Sequence, residues 1–182
     1  MRHGGNVWEG QPADWLDFSA NLRPEGTPAW VMDTMRAALS QACYYPDRAM
    51  RAARAGLALY LGADESCVLP TAGGAAAIDL TLGVRRGAVH VQQPTFGEYA
   101  ERAKAHGRRM AANQAIQADD TVVVCNPNNP TGTLLSPNDM LRMHRDVRNS
   151  GGELIVDEAF IDYCTDATVR HHVQDGLTVV GS

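Results

Sequence analysis

The chain has 182 residues, 45% hydrophobic and 20% charged, enough for one well-buried core and ordinary for a globular domain. Its net charge of −5 comes without any Lys/Arg-rich block, which argues against a nucleic-acid surface. The start, Met1 to Trp8, has no apolar leader region, no stretch approaches the ~20 apolar residues of a membrane span, and Cys43, Cys67, Cys125 and Cys164 form no C-x-x-C pair, so reduced thiols and a cytoplasmic location are expected.

The first 28 residues, polar and carrying Gly and Pro, read as an extended arm, and residues 29–182 as one large domain. Thr27-Pro28 offers an N-cap and a first-position proline, predicting a helix over about 29–41 with Val31, Met35 and Leu39 on one face. Tyr44-Tyr-Pro-Asp47 breaks it, and a second helix follows over about 48–61, with Leu57, Tyr60 and Leu61 to one side and Gly62 as its left-handed stop. Strands and helices then alternate: strand 67–70, helix 74–83, strand 88–92, helix 97–105, a strand near 109–116 and a strand at 121–125. Ser136-Pro137 caps a helix to about 148, Gly151-Gly152 ends it, and strands follow at 153–157 and 177–180. This rhythm predicts an α/β fold, a mostly parallel sheet with helices on both faces. There is no internal repeat and no low-complexity segment.

Three constellations carry chemistry. Thr71-Ala-Gly-Gly-Ala-Ala-Ala77 opens a helix, so the N–H groups of Gly73, Gly74 and Ala75 can point at an anion, which a helix dipole favours by ~0.3–1 kcal/mol; the alternative is a tight turn in which small residues merely pack closely. Asp157 emerges from an apolar strand, where its carboxylate can pair with a protonated pyridine nitrogen, with a gross attraction of about 5 kcal/mol before desolvation; the alternatives are a helix cap or a metal-binding pair with Glu158. Asn126-Pro-Asn-Asn-Pro-Thr-Gly132 ends the neighbouring strand with two φ-fixing prolines, a glycine free to take positive φ, and asparagines able to bond backbone or ligand. An amide and a carboxylate aimed into one crevice from adjacent strand ends suit a pyridine ring carrying a phenolic oxygen, and pyridoxal 5′-phosphate (PLP) is such a ring.

Asn-Pro-x-Asn-Pro-Thr-Gly followed by Asp-Glu-Ala-Phe resembles the fold type I PLP-dependent enzymes of the aminotransferase class I and II family. Within it, the chain is similar to the branch of histidinol-phosphate aminotransferases and the threonine-phosphate decarboxylases of cobalamin biosynthesis. His3-Gly-Gly-Asn6, Asp17-Phe-Ser-Ala-Asn21 with Pro24 and Gly26, Tyr45-Pro-Asp47 and Pro94-Thr-Phe-Gly-Glu-Tyr99 also look like that branch and occur in its order along the whole chain. The resemblance implies that Asn129 bonds the phenolic oxygen and Asp157 the pyridine nitrogen. It implies that Phe96 stacks on the ring, with Tyr99 a second candidate, and that Gly73, Gly74 and Ala75 hold the phosphate. Tyr45 would reach the phosphate from the second subunit of a homodimer, and Asn21 with His3, Gly4 and Gly5 would lie over the substrate.

Two departures stand out. Phe160 replaces the tyrosine of many relatives and has no hydroxyl for the phenolic oxygen, and the phosphate turn has no acidic or amide side chain. In the family the cofactor is carried by a lysine that follows a Ser-x-x-Lys pattern; Val179-Val-Gly-Ser182 looks like the strand before it, so Ser182 is expected at the cofactor and the lysine three residues further on. Lys104, the single lysine among sixteen basic residues, lies on the helix after Phe96 and does not take that role. The expectation is therefore the N-terminal half of a PLP enzyme acting on a phosphorylated amino acid, inactive alone. Its substrate is expected to be L-threonine O-3-phosphate, decarboxylated to aminopropanol phosphate, a choice that His3-Gly-Gly-Asn6 favours. Amino transfer from a histidinol-phosphate-like substrate is the alternative, and a non-catalytic dimerising or ligand-binding module is the alternative of another class. A nucleotide-binding domain is disfavoured, because the Gly73-Gly74 turn lacks G-x-G-x-x-G spacing and no Walker lysine follows.

Overall fold

β-branched residues dominate the central strands, and their alternation decides which side chains meet which helices. The computed structural model describes residues 4–8, 15–111 and 114–181. Five strands, β1 (Val89–Val91), β2 (Met110–Ala111), β3 (Thr121–Cys125), β4 (Glu153–Asp157) and β5 (Thr178–Val180), form one sheet in the order β2-β1-β3-β4-β5. Every pairing is parallel. Cys125 lies opposite Asp157, and Asp157 opposite Val180, so β3, β4 and β5 end together on one edge.

The described residues form five α-helices, α1 (Ala29–Ala38), α2 (Arg51–Leu61), α3 (Gly74–Val84), α4 (Glu98–Ala105) and α5 (Pro137–Asn149). On one face Ile78 and Leu82 of α3 and Tyr99 and Ala103 of α4 pack with Val89, Val123, Cys125, Ile155 and Val180. On the other, Met140 and Val147 of α5 pack with Leu154, Val156 and Leu177. Each fully buried Leu, Ile or Val contributes ~1.5–3 kcal/mol, so both faces anchor the sheet and the α/β expectation holds. The predicted start of α5 also holds: the Ser136 hydroxyl accepts the Asp139 N–H at 3.2 Å, ahead of Pro137.

Local expectations fail where no partner strand supports them. Residues 67–70 are not a strand: Glu65–Cys67 is a 3-10 turn, capped by Asp64 Oδ1 accepting the Ser66 N–H at 2.8 Å, and Pro70 has no N–H to give a ladder. Of the strand expected near 109–116, Met110–Ala111 pairs with Val89 and His90 of β1, residues 112–113 lie outside the described residues, and residues 114–116 are not strand. The helix expected from 48 begins at Arg51, after Met50 takes a left-handed φ of 49°, and the helix expected to 41 closes in a 3-10 turn over Leu39–Gln41.

The chain divides into two compact units, Met1–Ala49 and Met50–Ser182. The first holds the arm expected over residues 1–28 together with α1; the second holds the sheet. No helix among the described residues is long and apolar enough to cross a membrane.

Candidate active site

The loop after β3 uses its asparagines unequally. Asn126 is fully buried; its amide donates to the Leu135 carbonyl at 3.2 Å and accepts the Leu135 N–H at 2.8 Å. Asn128 accepts the Thr95 hydroxyl at 2.8 Å and donates to the Pro94 carbonyl at 2.9 Å and to the Thr131 hydroxyl at 2.7 Å. Both side chains are consumed in shaping the loop. Asn129, the next residue and half-buried, makes no side-chain hydrogen bond to another described residue. Turn chemistry accounts for Asn126 and Asn128 and leaves the Asn129 amide available to a ligand.

Asp157 ends β4, 4% exposed. Its Oδ1 accepts the Ala159 N–H at 2.9 Å and its Oδ2 accepts the Tyr99 hydroxyl at 2.7 Å. Burial raises its pKa above the usual carboxylate range, and the two hydrogen bonds pull the other way. A carboxylate has about four acceptor sites, so a third donor can still be taken. Cys125, opposite Asp157 in the ladder, is also buried, which raises its thiol pKa. The acidic pair does not converge: Glu158 accepts the Thr168 hydroxyl at 2.6 Å and the Val169 N–H at 2.7 Å. Among the described residues no group of three His, Cys, Asp or Glu side chains could hold a metal ion.

Phe96, half-buried, meets Tyr99 edge-on with ring centroids 5.7 Å apart and planes at 85°. Tyr99 is 0% exposed, so its ring belongs to the core and does not offer a stacking face. Sequence reasoning missed its bond to Asp157. The signal was slight: Tyr99 lies three residues after Phe96, a helical spacing that reads as core.

The turn before α3 presents its amides openly. Gly73 has φ 84°, a conformation that favours glycine, and a Cβ added at Gly73 or Gly74 would meet nothing within 4 Å. Gly74 and Ala75 begin the helix, whose first N–H groups lack intrahelical partners. Thr71, Gly73 and Ala77 line a cavity of about 290 Å³ together with Val180 and Gly181 at the end of β5. The helix start and the strand ends therefore share one edge of the sheet.

In the N-terminal unit, the Gly5 N–H donates to the Ser19 hydroxyl at 2.8 Å, and that hydroxyl donates to Asp17 Oδ1 at 2.6 Å. A Cβ on Gly4 would fall 1.8 Å from the Ser19 carbonyl oxygen. The two motifs around Gly4-Gly5 and Asp17 to Asn21 are thus one local structure. Asn21 is exposed and Tyr45 is fully exposed. His3 and Ser182 lie outside the described residues.

The profile of the family described as Aminotransferase class I and II matches residues 13–182. The chain belongs to that family. A threonine-phosphate decarboxylase of Pseudomonas aeruginosa is 34% identical over 178 residues, covering 91% of this chain and 51% of its own length. A histidinol-phosphate aminotransferase of Pasteurella multocida is 30% identical over 142 residues, covering 69% of this chain and 40% of its own. The crystal structure of the histidinol-phosphate aminotransferase from Clostridium acetobutylicum has a TM-score of 0.79 at 22% identity, covering 92% of this chain and 55% of that one. That likeness establishes the shared fold. The chain spans about half the length of the curated relatives it matches, and the family's dependence on PLP makes PLP the cofactor to test against the site of this aminotransferase class I and II chain.

Proposed function

We propose that this chain carries the cofactor-recognising side of a PLP-dependent enzyme acting on a phosphorylated amino acid. One observation carries the reading: at the ends of adjacent strands, Asp157 keeps acceptor capacity and the Asn129 amide makes no side-chain hydrogen bond to another described residue, although those of Asn126 and Asn128 are used. The donor set suits PLP in chemistry as well. Asp157 would hold the proton on the pyridine nitrogen, Asn129 would donate to the phenolic oxygen, and Phe96 would pack on the ring. Gly73, Gly74 and Ala75 would bind the phosphate through backbone N–H groups, with the Ser182 hydroxyl beside them. When bound, PLP supplies an electron sink for a carbanion.

His3, Gly4, Gly5 and Asn21 would bind the substrate, and Tyr45 would reach the phosphate from a second copy. The exposure of Trp30, Leu39, Tyr44 and Tyr45 supports a homodimer. For the reaction, the decarboxylase relative and the His3-Gly-Gly-Asn6 motif support decarboxylation of L-threonine O-3-phosphate to aminopropanol phosphate, a step of cobalamin biosynthesis in the cytoplasm. Phe160, without a hydroxyl for the phenolic oxygen, is compatible with that choice. Amino transfer from a histidinol-phosphate-like substrate is the second reading, supported by the Pasteurella relative. The only lysine, Lys104, is exposed on α4 and is given no part, so these 182 residues are proposed to bind without turning substrate over.

Equilibrium dialysis with PLP tests this. Retention that L-threonine O-3-phosphate strengthens more than histidinol phosphate does is the expected result. The reverse order favours amino transfer, and no retention under either condition contradicts the proposal.

A further inference from the structure

The Tyr99 ring sits in the apolar cluster of Ile78, Leu82 and Val123, wholly shielded, yet its hydroxyl reaches out to Asp157 Oδ2 at 2.7 Å. The Ala159 N–H takes Oδ1 at 2.9 Å. One grip comes from α4 and the other from the chain just past β4. Together they fix both oxygens of a carboxylate that is 4% exposed. Among the described residues, the other titratable group acting on this pair is Cys125 of β3, whose thiol donates to the Pro127 carbonyl at 3.2 Å; β5 places Val180 at that register.

We propose that Tyr99 is a positioning residue for the ring-recognising site: its hydroxyl fixes the orientation of the Asp157 carboxylate and stabilises its charged form, so that a protonated pyridine nitrogen meets an aligned partner. This rests on the reading of Asp157 as the ring-nitrogen partner. The physical need is plain, because a buried carboxylate without donors takes up a proton. A protonated Asp157 could no longer hold the ring's own proton by charge. Burial raises the Tyr99 phenol pKa far above its usual range, so the hydroxyl stays a donor at any working pH. A phenol anchored in the core also needs no further ordering to make the bond.

The test compares the parent chain with Tyr99→Phe, which keeps the ring and removes the donor. Two readouts are taken: the Asp157 carboxyl titration without cofactor, by NMR of 13C-labelled aspartate, and the affinity for PLP relative to its 1-deaza analogue, which has carbon in place of the ring nitrogen. Loss of the donor raises the Asp157 pKa by about one unit and lowers the preference for PLP about tenfold. In an Asp157→Asn background, adding Tyr99→Phe changes the preference by less than about twofold, as a shared pathway requires. Incorporating 3-fluorotyrosine at position 99 keeps shape and hydroxyl, strengthens the donor, and moves both readouts the opposite way. A parent chain that prefers PLP and a Tyr99→Phe chain that keeps both preference and titration overturn the inference alone. A parent chain with no preference overturns the Asp157 reading, and this inference with it.

Discussion

Asn126 and Leu135 hold each other by two hydrogen bonds, the side-chain amide of one taking both backbone groups of the other at 3.2 and 2.8 Å. The eight residues between them are closed into a loop by that buried amide, which presents Asn129 at a fixed place. Asn126→Ala leaves the Leu135 N–H and carbonyl unpaired and is expected to cost about 2–4 kcal/mol, read as a lower urea midpoint. It should weaken PLP binding as well, although Asn126 itself is given no contact with the cofactor.

Asp157→Asn should make the protein more stable at neutral pH while weakening its binding of PLP. Burial raises the folded-state pKa of Asp157, so the folded chain keeps this proton where the unfolded chain has lost it. Stability contributed by this group therefore declines as pH rises above the ordinary carboxylate pKa of about 3.9. Removing the charge lifts that penalty, an expected gain of about 0.5–2 kcal/mol, where each kcal/mol is ~2–4 °C in Tm for a chain of this size. Calorimetry at pH 7 and pH 4 checks it: the gain is larger at pH 7, and a fall in Tm there contradicts the assignment.

His90 and Asp120 should govern the acid limb of stability. Asp120 accepts from the Ala88 N–H at 2.7 Å and the Gln117 N–H at 2.8 Å, and its Oδ2 lies 2.9 Å from His90 Nε2. Burial raises its pKa, but these hydrogen bonds together hold it below the usual value. With the folded pKa depressed, the stabilisation is present above about pH 4 and is lost as pH falls through the folded value. Asp120→Asn is expected to lose about 1–3 kcal/mol at pH 7 and to show a shallower decline below pH 4 in urea denaturation.

Arg108 is a buried brace. Its guanidinium donates to the carbonyls of Gly87 at 2.7 Å, Leu82 at 2.8 Å and Ala88 at 3.3 Å, and to the Thr121 hydroxyl at 2.8 Å. Arg108→Met should destabilise by about 2–4 kcal/mol, as acceptors lose their donors. Arg108→Lys should recover only part of it, since an ammonium cannot reproduce the planar fork. Equal stability of the Lys variant and the parent chain would count against the brace.

The sheet and the loop were legible in the sequence for local reasons. Thr121–Cys125 and Glu153–Asp157 are apolar, largely β-branched runs that stop on polar residues, and Ser136-Pro137 carries its own cap. Residues 67–70 read just as apolar, but a strand needs a neighbour, and no local pattern supplies one. The roles of Asn126, Asn128 and Asn129 could not be separated beforehand, because three chemically identical side chains differ only in where the loop path points them. Tyr99 and Asp157 lie 58 residues apart, and a contact between two distant elements leaves no mark on either. Glu158, just past the end of β4, is drawn to Thr168 and Val169 instead, ten and eleven residues further on.

The central claim is that Asp157 receives the ring nitrogen of PLP. NMR of the chain with 15N-labelled PLP reads it directly: a protonated ring nitrogen in the parent chain at pH 8, and loss of that signal position in Asp157→Ala, is the predicted result. A nitrogen that is unprotonated in the parent chain, or protonated equally in both, would contradict it.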